Sequence, residues 1–297
     1  MKKKNILLLL VMLMTTGIHL VAQPKNGYAR IPFDRHTRYG KKTTIDTTRL
    51  VVLYALNADD LTNEDTYIDL GRLEVGRHGL KYSSEFVRQS DSLLVEWLKK
   101  NPHAQGIPNF LGNGGKKKEV WSEYEFSHLF FADGEVTVYT TPAGTLLSFN
   151  HYKEPYPTQA WTIEAEQTTL LGHVCQKATT RWRGRTFTAW FAADIPVQAG
   201  PWKFGGLPGL ILKVEDADSL YRFEAVELST QATPMFRYEF KDYKLYTREK
   251  AWKLNQAINE NYYKVAGVRS CTFDAKGNPV IGAPKSRYVP YEPLEKE

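Results

Sequence analysis

The sequence has few cysteines and lacks the common catalytic motifs. Only Cys175 and Cys271 occur among its 297 residues. It contains no Gly-x-Ser-x-Gly elbow, no His-Glu-x-x-His pair, no phosphate-binding loop and no dinucleotide fingerprint. These absences argue against the familiar hydrolases, metalloproteases, nucleotidases and dehydrogenases. We expect no catalytic residue, no metal and no cofactor.

The two cysteines leave more than one interpretation open. In an oxidising compartment they could form a disulfide, although their sequence separation does not give their distance. The alternative is a buried thiol at Cys175 and another near the C terminus. His173 and Cys175 lie two residues apart on a predicted strand, but two ligands without a second pair are weak evidence for a metal. A nucleophilic Cys175 would need His173 as its base.

The chain also lacks a long apolar run, and its positive charge is modest. Residues 1–22 combine a basic start, Lys2–Lys4, with the short apolar stretch Ile6–Met14 and the small residue Ala22. This order predicts a secretory signal peptide rather than a membrane anchor, because the apolar stretch is too short to span a bilayer. No cysteine lies near the cut, so we expect no lipoprotein. We expect residence in the periplasm or at the outer membrane.

Nucleic acid is excluded as a partner on charge. The formal net charge is +6, and half of it comes from the three lysines of the predicted signal peptide. The basic run Lys116–Lys118 follows a glycine-rich stretch and is interpreted as a solvated loop. No basic patch that could follow a phosphate backbone remains.

From Trp121 onward the dominant sequence period is two, which predicts strands. Leu50–Leu56 is interpreted as a buried strand. Turn residues at Asp133-Gly134, at Gly184 and at Asp216–Ser219 each separate two alternating segments and predict three antiparallel hairpins. Aromatic residues make up 13% of the chain, which suits sheets.

Two helices complete the predicted fold. Ser90–Ser92 offers N-caps for a helix that Asn101-Pro102 ends, and Thr247 caps a helix to about Tyr263. The fold class is therefore α+β: a mostly antiparallel sheet with about two covering helices. We expect one domain over residues 23–297, with loosely structured tails, including the chain after Gly267.

The stretch Gly200–Leu212 is apolar but cannot be helical. Pro208 and Gly209 predict a type II turn, with positive φ at the glycine. Gly205 and Gly206 would let the backbone pass close to a neighbour. The stretch is then a rigid apolar lead into a core strand.

These residues carry a family resemblance. The segment from His173 to Asp216 resembles the GLPGLI family of exported Bacteroidetes proteins, whose hexapeptide stands here at Gly206–Ile211. The match extends to Cys175 and to the Ala-Trp-Phe at 189–191. The resemblance implies export from a Bacteroidetes cell, and it marks no catalytic residue. The same segment is also similar to the corresponding stretch of periplasmic lipoprotein carriers, which hold an acyl chain. This resemblance implies that the sheet is curved and half-barrel-like.

We therefore expect an exported, non-enzymatic envelope protein that binds a lipid or other apolar ligand, or an outer-membrane partner protein. Two alternatives stay open: a structural or docking protein at the outer membrane, and a hydrolase with an unfamiliar site. The candidate binding residues are apolar or turn-forming: Trp190, Trp202, Phe204, Leu207, Pro208, Gly209 and Leu210. These aromatic residues could equally be core.

Three arginines surround the Gly184 turn. Arg181, Arg183 and Arg185 alternate with Trp182 and Gly184. They could contact an anion or an acidic partner. The alternative is a solvated hairpin tip.

Overall fold

The protein is built mainly of strands. The computed structural model describes residues 42–103, 128–140, 150–240, 243–265, 270–273, 276, 278–282 and 293–296. The predicted signal peptide, the lysine run 116–118 and most of the predicted N-terminal tail lie outside these residues. The strands are β1 (Lys42–Thr47), β2 (Leu50–Leu56), β3 (Asp69–Val75), β4 (Leu80–Ser84), β5 (His128–Ala132), β6 (Glu135–Thr140), β7 (Asn150–Pro155), β8 (Thr162–Leu170), β9 (His173–Trp182), β10 (Arg185–Ala192), β11 (Leu210–Asp216), β12 (Arg222–Ser229), β13 (Pro234–Tyr238), β14 (Lys244–Leu245), β15 (Ser270–Phe273) and β16 (Pro279–Gly282). The helices are α1 (Glu85–Lys100), α2 (Arg248–Val265) and a short 3₁₀ helix, Glu64–Thr66.

Twelve strands form one open sheet, in the order β14-β7-β6-β5-β4-β3-β2-β12-β11-β10-β9-β8. Neighbouring strands within this sheet are antiparallel, except that β14 pairs with β7 in parallel. Two separate two-stranded sheets pair β1 with β13 and β15 with β16. The predicted α+β class, with a mostly antiparallel sheet and covering helices, is confirmed.

Three two-residue turns of one type connect strands of the large sheet. They are Asp133-Gly134, Leu171-Gly172 and Arg183-Gly184, and both residues of each have positive φ. This is the type I′ geometry, whose twist matches that of the flanking strands. The hairpins predicted at Asp133-Gly134 and Gly184 are confirmed, as is the longer connection after Asp216. The hairpin of β8 and β9 was not predicted.

Helix α1 begins earlier than predicted. Its N-cap is Ser84, whose hydroxyl accepts a hydrogen bond from the backbone of the first turn, and it ends at Asn101 as predicted. The predicted cap at Ser90–Ser92 was wrong. Phe86 is buried against the outer side of β2 and β3, so the apolar stripe of the helix starts before those serines. The chain passes from β4 into the helix without a loop.

Helix α2 is capped as predicted. The Thr247 hydroxyl accepts a hydrogen bond from the amide of Lys250 at 3.2 Å. Ala251 is buried and belongs to the main core. No helix in the described part of the chain is both long and apolar enough to cross a membrane.

The other side of the sheet encloses the main core. Apolar side chains from nearly every strand between β7 and β9 in the sheet order join one cluster. The connection between β10 and β11, residues 193–209, is called the filler segment below, and its part from Ala199 to Leu207 contributes buried side chains to that cluster. The Tyr54 hydroxyl on β2 donates to the carbonyl of Ile211 at 2.8 Å. The sheet thus wraps around a loop that leads into one of its own strands.

The tail after Gly267 is more ordered than predicted. It contains the β15–β16 hairpin, and residues 293–296 lie against the main body. Leu294 is buried in the main core. The expectation of a loose C-terminal tail was wrong for these residues, because a single leucine and a single glutamate find buried partners.

Candidate functional site

The filler segment buries its large side chains. Trp202, Phe204 and Leu207 are 3%, 1% and 1% exposed. The Phe204 ring lies edge-on to Phe187 of β10, with ring centroids 4.8 Å apart, and Trp202 lies edge-on to Trp182 at 5.6 Å. The segment fills the space that the curved sheet encloses.

The bend at Pro208 exists, but it is not the predicted type II turn. The amide of Gly209 donates to the carbonyl of Leu207 at 2.8 Å, which closes a turn of three residues around the proline. The positive φ of +81° belongs to Gly206, not to Gly209. Gly209 is instead required by space, because a Cβ there would lie 2.2 Å from the carbonyl oxygen of Ala192.

The adjacent glycines Gly205 and Gly206 differ in the same way. A Cβ on Gly205 would approach the carbonyl oxygen of Gln198 to 2.9 Å, so the predicted close backbone approach is confirmed there. A Cβ on Gly206 would have no atom within 4 Å, so glycine is favoured there only because of its positive φ.

The predicted binding residues therefore fall into two groups. Leu210 is buried with the three apolar residues of the filler segment, whereas Pro208 is exposed and Trp190 is half-buried. Trp190 lies on the outer face of β10, opposite Lys177 on β9 and Lys213 on β11. The structure brings the filler residues and Leu210 together in the main core, whereas Trp190 is only partly buried and packs at the margin of that core. Their role as binding residues stays a prediction.

A buried lysine in the filler segment is the main feature that the sequence analysis missed. The side chain of Lys203 is 1% exposed. Its Nζ lies 2.6 Å from Oε1 of Glu154 and 2.7 Å from Oε1 of Glu295, and it donates to the Tyr152 hydroxyl at 3.0 Å. A buried ammonium needs such partners, because burial without them would cost several kcal/mol.

Lys203 is the centre of a larger group of charges, which we call the ionic cluster: Glu154, Arg183, Lys203, Arg248 and Glu295. Arg183 forms hydrogen bonds with both glutamates. Arg248 donates to Oε2 of Glu295 through Nε at 2.9 Å and through Nη2 at 2.6 Å. Five separate parts of the chain meet here: β7, the β9–β10 turn, the filler segment, the start of α2 and the C-terminal tail.

The ionic cluster joins distant parts of the sheet. Glu154 lies on β7, next to one end of the strand order, and Arg183 lies in the β9–β10 turn near the other end. An open sheet can bring such strands together only by curving. The cluster therefore holds the half-barrel nearly closed.

The charges of Lys203 and Glu295 are fixed at neutral pH. Burial alone would lower the pKa of Lys203, but the adjacent Glu295, Tyr152 and Glu154 outweigh it, and the pKa is raised above its ordinary value. Burial would raise the pKa of Glu295, but Lys203, Arg183 and Arg248 outweigh it and hold the pKa at about 2. Burial raises the pKa of Tyr152 to about 12.

These three pKa values lie far from neutrality, so Lys203, Glu295 and Tyr152 keep one protonation state. Efficient general acid–base catalysis needs a pKa near the working pH. A lysine nucleophile needs a lowered pKa, and that of Lys203 moves the other way. The cluster is suited to fixing structure.

Two of the three arginines near the β9–β10 turn form ion pairs, whereas contact with an anion or an acidic partner stays a prediction. The acids belong to the chain itself. Arg185 pairs with Asp216 at 2.8 Å, and both side chains are 1% exposed. Arg183 meets the ionic cluster, and Arg181 is exposed. The interpretation as a solvated hairpin tip is wrong for Arg183 and Arg185.

Cys175 is a buried free thiol. Burial raises its pKa to about 11, which disfavours the thiolate that a nucleophile needs. Nδ1 of His173 lies 2.6 Å from Oδ2 of Asp194, which lowers the pKa of that carboxyl. No group of three or more histidine, cysteine, aspartate or glutamate side chains is arranged to hold a metal among the residues whose positions are described.

The opposite end of β9 carries an exposed apolar turn. Leu171 has a φ of +48° and is 44% exposed, and Val174 on β9 is 61% exposed. A leucine in the left-handed region is strained, and asparagine or glycine is preferred there. The dipeptide Leu171-Gly172 between two alternating segments was the sequence signal that could have revealed this hairpin.

Comparisons with known proteins give a limited result. Residues 183–213, from the β9–β10 turn into β11, match the family described as "Protein of unknown function (Porph_ging)". No curated protein matches the chain. Two crystal structures of PNGF-II, in the C2 and P21 space groups, are similar over 77% of this chain, with 14% identity and TM-scores of 0.46 and 0.45. The alignment covers 35% of those chains, so this chain spans about a third of their length.

Proposed function

We propose that this chain is an exported, non-enzymatic protein of the cell envelope that docks a partner protein. One observation carries the proposal: the side chains of Trp202, Phe204 and Leu207 are buried in the protein's own core. That favours a scaffold over a carrier with an open apolar cavity. A lipid or other apolar ligand bound inside the sheet, the other expectation, would have to displace these side chains.

The proposal includes export and family. The order of residues 1–22 supports a cleaved signal peptide and a place in the periplasm or at the outer membrane. The hexapeptide Gly206–Ile211 supports membership of the GLPGLI family of exported Bacteroidetes proteins. It lies within the 183–213 match to a family of unknown function.

The docking feature is the β8–β9 turn. Leu171 is strained and exposed, so the free protein bears the cost of the strain without gaining the full benefit of burying the side chain. Strain retained at an exposed position is typical of sites where another molecule makes use of it. Val174 adds a second exposed apolar side chain beside the turn.

The charge next to this turn indicates the partner's chemistry. Asp194 is 58% exposed on its side chain and touches His173, the first residue after the turn. Its pKa is lowered, so it is a carboxylate at neutral pH. A carboxylate beside an apolar tip disfavours an anionic bilayer and suits a protein with a small apolar depression and a basic rim.

The hydrolase alternative gains no support from Cys175 or from Lys203. The raised pKa of Cys175 and of Lys203 leaves neither side chain activated at neutral pH. Cys175 is also buried, which separates it from a substrate in solution.

The test is site-specific cross-linking in envelope extracts of the source cells. A photo-reactive side chain is placed at Val174 of the exported protein, and in a matched control at Asp133, the tip of another type I′ turn. We expect one discrete cross-linked protein from position 174, its loss when Leu171→Asn is added, and no such product from position 133. Identical products from both positions, or a signal unaffected by Leu171→Asn, would overturn the docking role.

The ligand alternative is tested on the purified exported protein. The purified protein is extracted with organic solvent and analysed by mass spectrometry, and fluorescent lipid is titrated into it. Stoichiometric lipid in the extract together with saturable titration would favour the carrier over the docking protein. We expect neither.

A further inference from the structure

The C-terminal residues 293–296 lie against the protein as a peptide ligand lies in a groove. Arg185 donates to the carbonyl of Pro293 at 2.8 Å, and Trp252 of α2 donates to the carbonyl of Glu295 at 3.1 Å. The amide of Lys296 donates to the carbonyl of Arg183 at 3.0 Å. Backbone groups of the tail are thus bound on both sides, by the β9–β10 turn and by α2.

Two side chains of the tail are bound in different surroundings. Leu294 is 1% exposed and enters the main apolar core. The carboxylate of Glu295 is held by Lys203, Arg183 and Arg248. Ion pairs with arginine and several donors on one carboxylate give geometric selectivity as well as affinity. The groove therefore distinguishes an apolar residue followed by a glutamate.

The groove side chains are held in place by partners other than the tail. Lys203 also pairs with Glu154 and donates to Tyr152. Arg183 also pairs with Glu154, and Arg185 pairs with Asp216. The cations therefore keep their orientation when the tail leaves, which is the condition for a preorganised binding site.

We propose that this groove is a recognition site for an extended peptide segment in which an apolar residue precedes a glutamate, and that the chain's own tail occupies it. A segment of a partner protein with this sequence competes with the tail. The cationic groups beneath the tail supply selectivity for the acidic residue. The proposal does not depend on the β8–β9 turn and concerns a different face of the protein.

The test uses the full chain with its tail released. In a Leu294→Ala, Glu295→Ala variant the tail loses both recognised side chains, while all groove residues are retained. A fluorescent peptide copying residues 291–297, Tyr-Glu-Pro-Leu-Glu-Lys-Glu, is titrated against this variant and against the unaltered chain, and anisotropy is measured. We expect binding to the variant about ten-fold tighter or more, since the unaltered groove is occupied.

Peptide and protein controls sharpen the result. A peptide that has glutamine at the position corresponding to Glu295 is expected to bind about ten-fold more weakly, because charged hydrogen bonds are lost. A Glu249→Gln chain, altered at an exposed pair on α2, is expected to behave like the unaltered protein. Should the double variant lack a cooperative unfolding transition, the isosteric Glu295→Gln chain takes its place with the same expectations.

Two results would overturn the proposal. One is a folded tail variant that does not bind the peptide. The other is equal binding to the unaltered chain and to the variant, which would place the peptide elsewhere. Neither result bears on cross-linking at the β8–β9 turn, so the two proposals fail separately.

Discussion

The two ends of strand β9 have turns of the same geometry in opposite surroundings. Both Leu171-Gly172 and Arg183-Gly184 are type I′ turns with a non-glycine residue at positive φ. At one end Arg183 is covered by the tail and meets two glutamates. At the other end Leu171 is 44% exposed. Both turns have the same kind of backbone strain, so they differ in the stabilising contacts that the strained residue's side chain makes.

The comparison separates stability from recognition. Arg183 offsets its strain within the folded chain, through ion pairs and through its position 4.5 Å over the Trp182 ring. Leu171 has no comparable internal gain at its exposed surface. We interpret the closed end as the part that holds the half-barrel together while the tail lies in its groove, and the open end as the part that can meet another molecule without displacing any segment of the chain.

The largest effect is expected from removing the charge at the closed end. Lys203→Met keeps the approximate volume but leaves two buried glutamates with fewer cations. We expect the free energy of unfolding to fall by about 3–5 kcal/mol. Urea unfolding measures it, with Lys253→Met as the matched control, since Lys253 pairs with Glu249 on the exposed surface of α2. Equal losses in the two variants would contradict the structural role of the cluster.

Acid should loosen the closed end. The pKa of Glu295 falls from 4.5 to about 2 on folding, so its contribution is complete above about pH 5 and is lost as the pH drops through 2. A shift of this size corresponds to roughly 3 kcal/mol. The difference in unfolding free energy between the unaltered chain and Glu295→Gln, measured by urea titration, should be constant from pH 5 to 8 and shrink below. A constant difference down to about pH 2.5 would show that the carboxylate is not held as described.

Relief of strain at the open end should stabilise the protein. Leu171→Asn replaces a residue that disfavours the left-handed region with one that tolerates it, and we expect a gain of about 1 kcal/mol. Thermal and urea unfolding measure it. Asp133→Asn, at a turn that already has a suitable residue, is the control and should change stability by less than about 0.5 kcal/mol. A loss of stability in Leu171→Asn would mean that the leucine packs usefully in the free protein.

The smallest effect on stability is expected at Val174. Val174→Thr keeps a β-branched residue at a side chain that is 61% exposed. We expect a change within about 0.5 kcal/mol, together with weaker recovery of the partner protein in a pull-down from envelope extracts. A large loss of stability would show that Val174 belongs to the core rather than to a docking surface.

Local patterns in the sequence were sufficient for much of the sheet. Leu50–Leu56 was predicted with its observed bounds. The Asp133-Gly134 and Gly184 hairpins follow from turn chemistry, which involves only neighbouring residues. The cap at Thr247 is likewise a contact between residues three apart. Such features depend on backbone preferences that the folded environment does not have to supply.

The same local rules failed where the space left by other strands decided the local structure. Pro208-Gly209 satisfies the sequence pattern of a type II turn, but the glycine is needed because the Ala192 carbonyl passes beside it. The α1 cap moved to Ser84 because strand β4 delivers the chain there and Phe86 is buried. In both places the deciding contact is with another strand.

The ionic cluster could not be predicted from sequence. Lys203 and Glu295 are 92 residues apart, and Lys203 and Tyr152 are 51 apart. A lysine among aromatic residues is ordinarily interpreted as exposed. Only the curvature of the sheet brings β7, the β9–β10 turn and the tail together.

By itself, the sequence determined the fold class, most strands of the sheet and the importance of the stretch from Gly200 to Leu212, because period and turn chemistry act over a few residues. Tertiary structure alone decided that the filler segment lies inside the sheet, that Lys203 is buried and charged, and that the tail covers the closed end of β9. The physical reason is that burial and ion pairing depend on which distant residues the curved sheet brings within a few ångströms of one another.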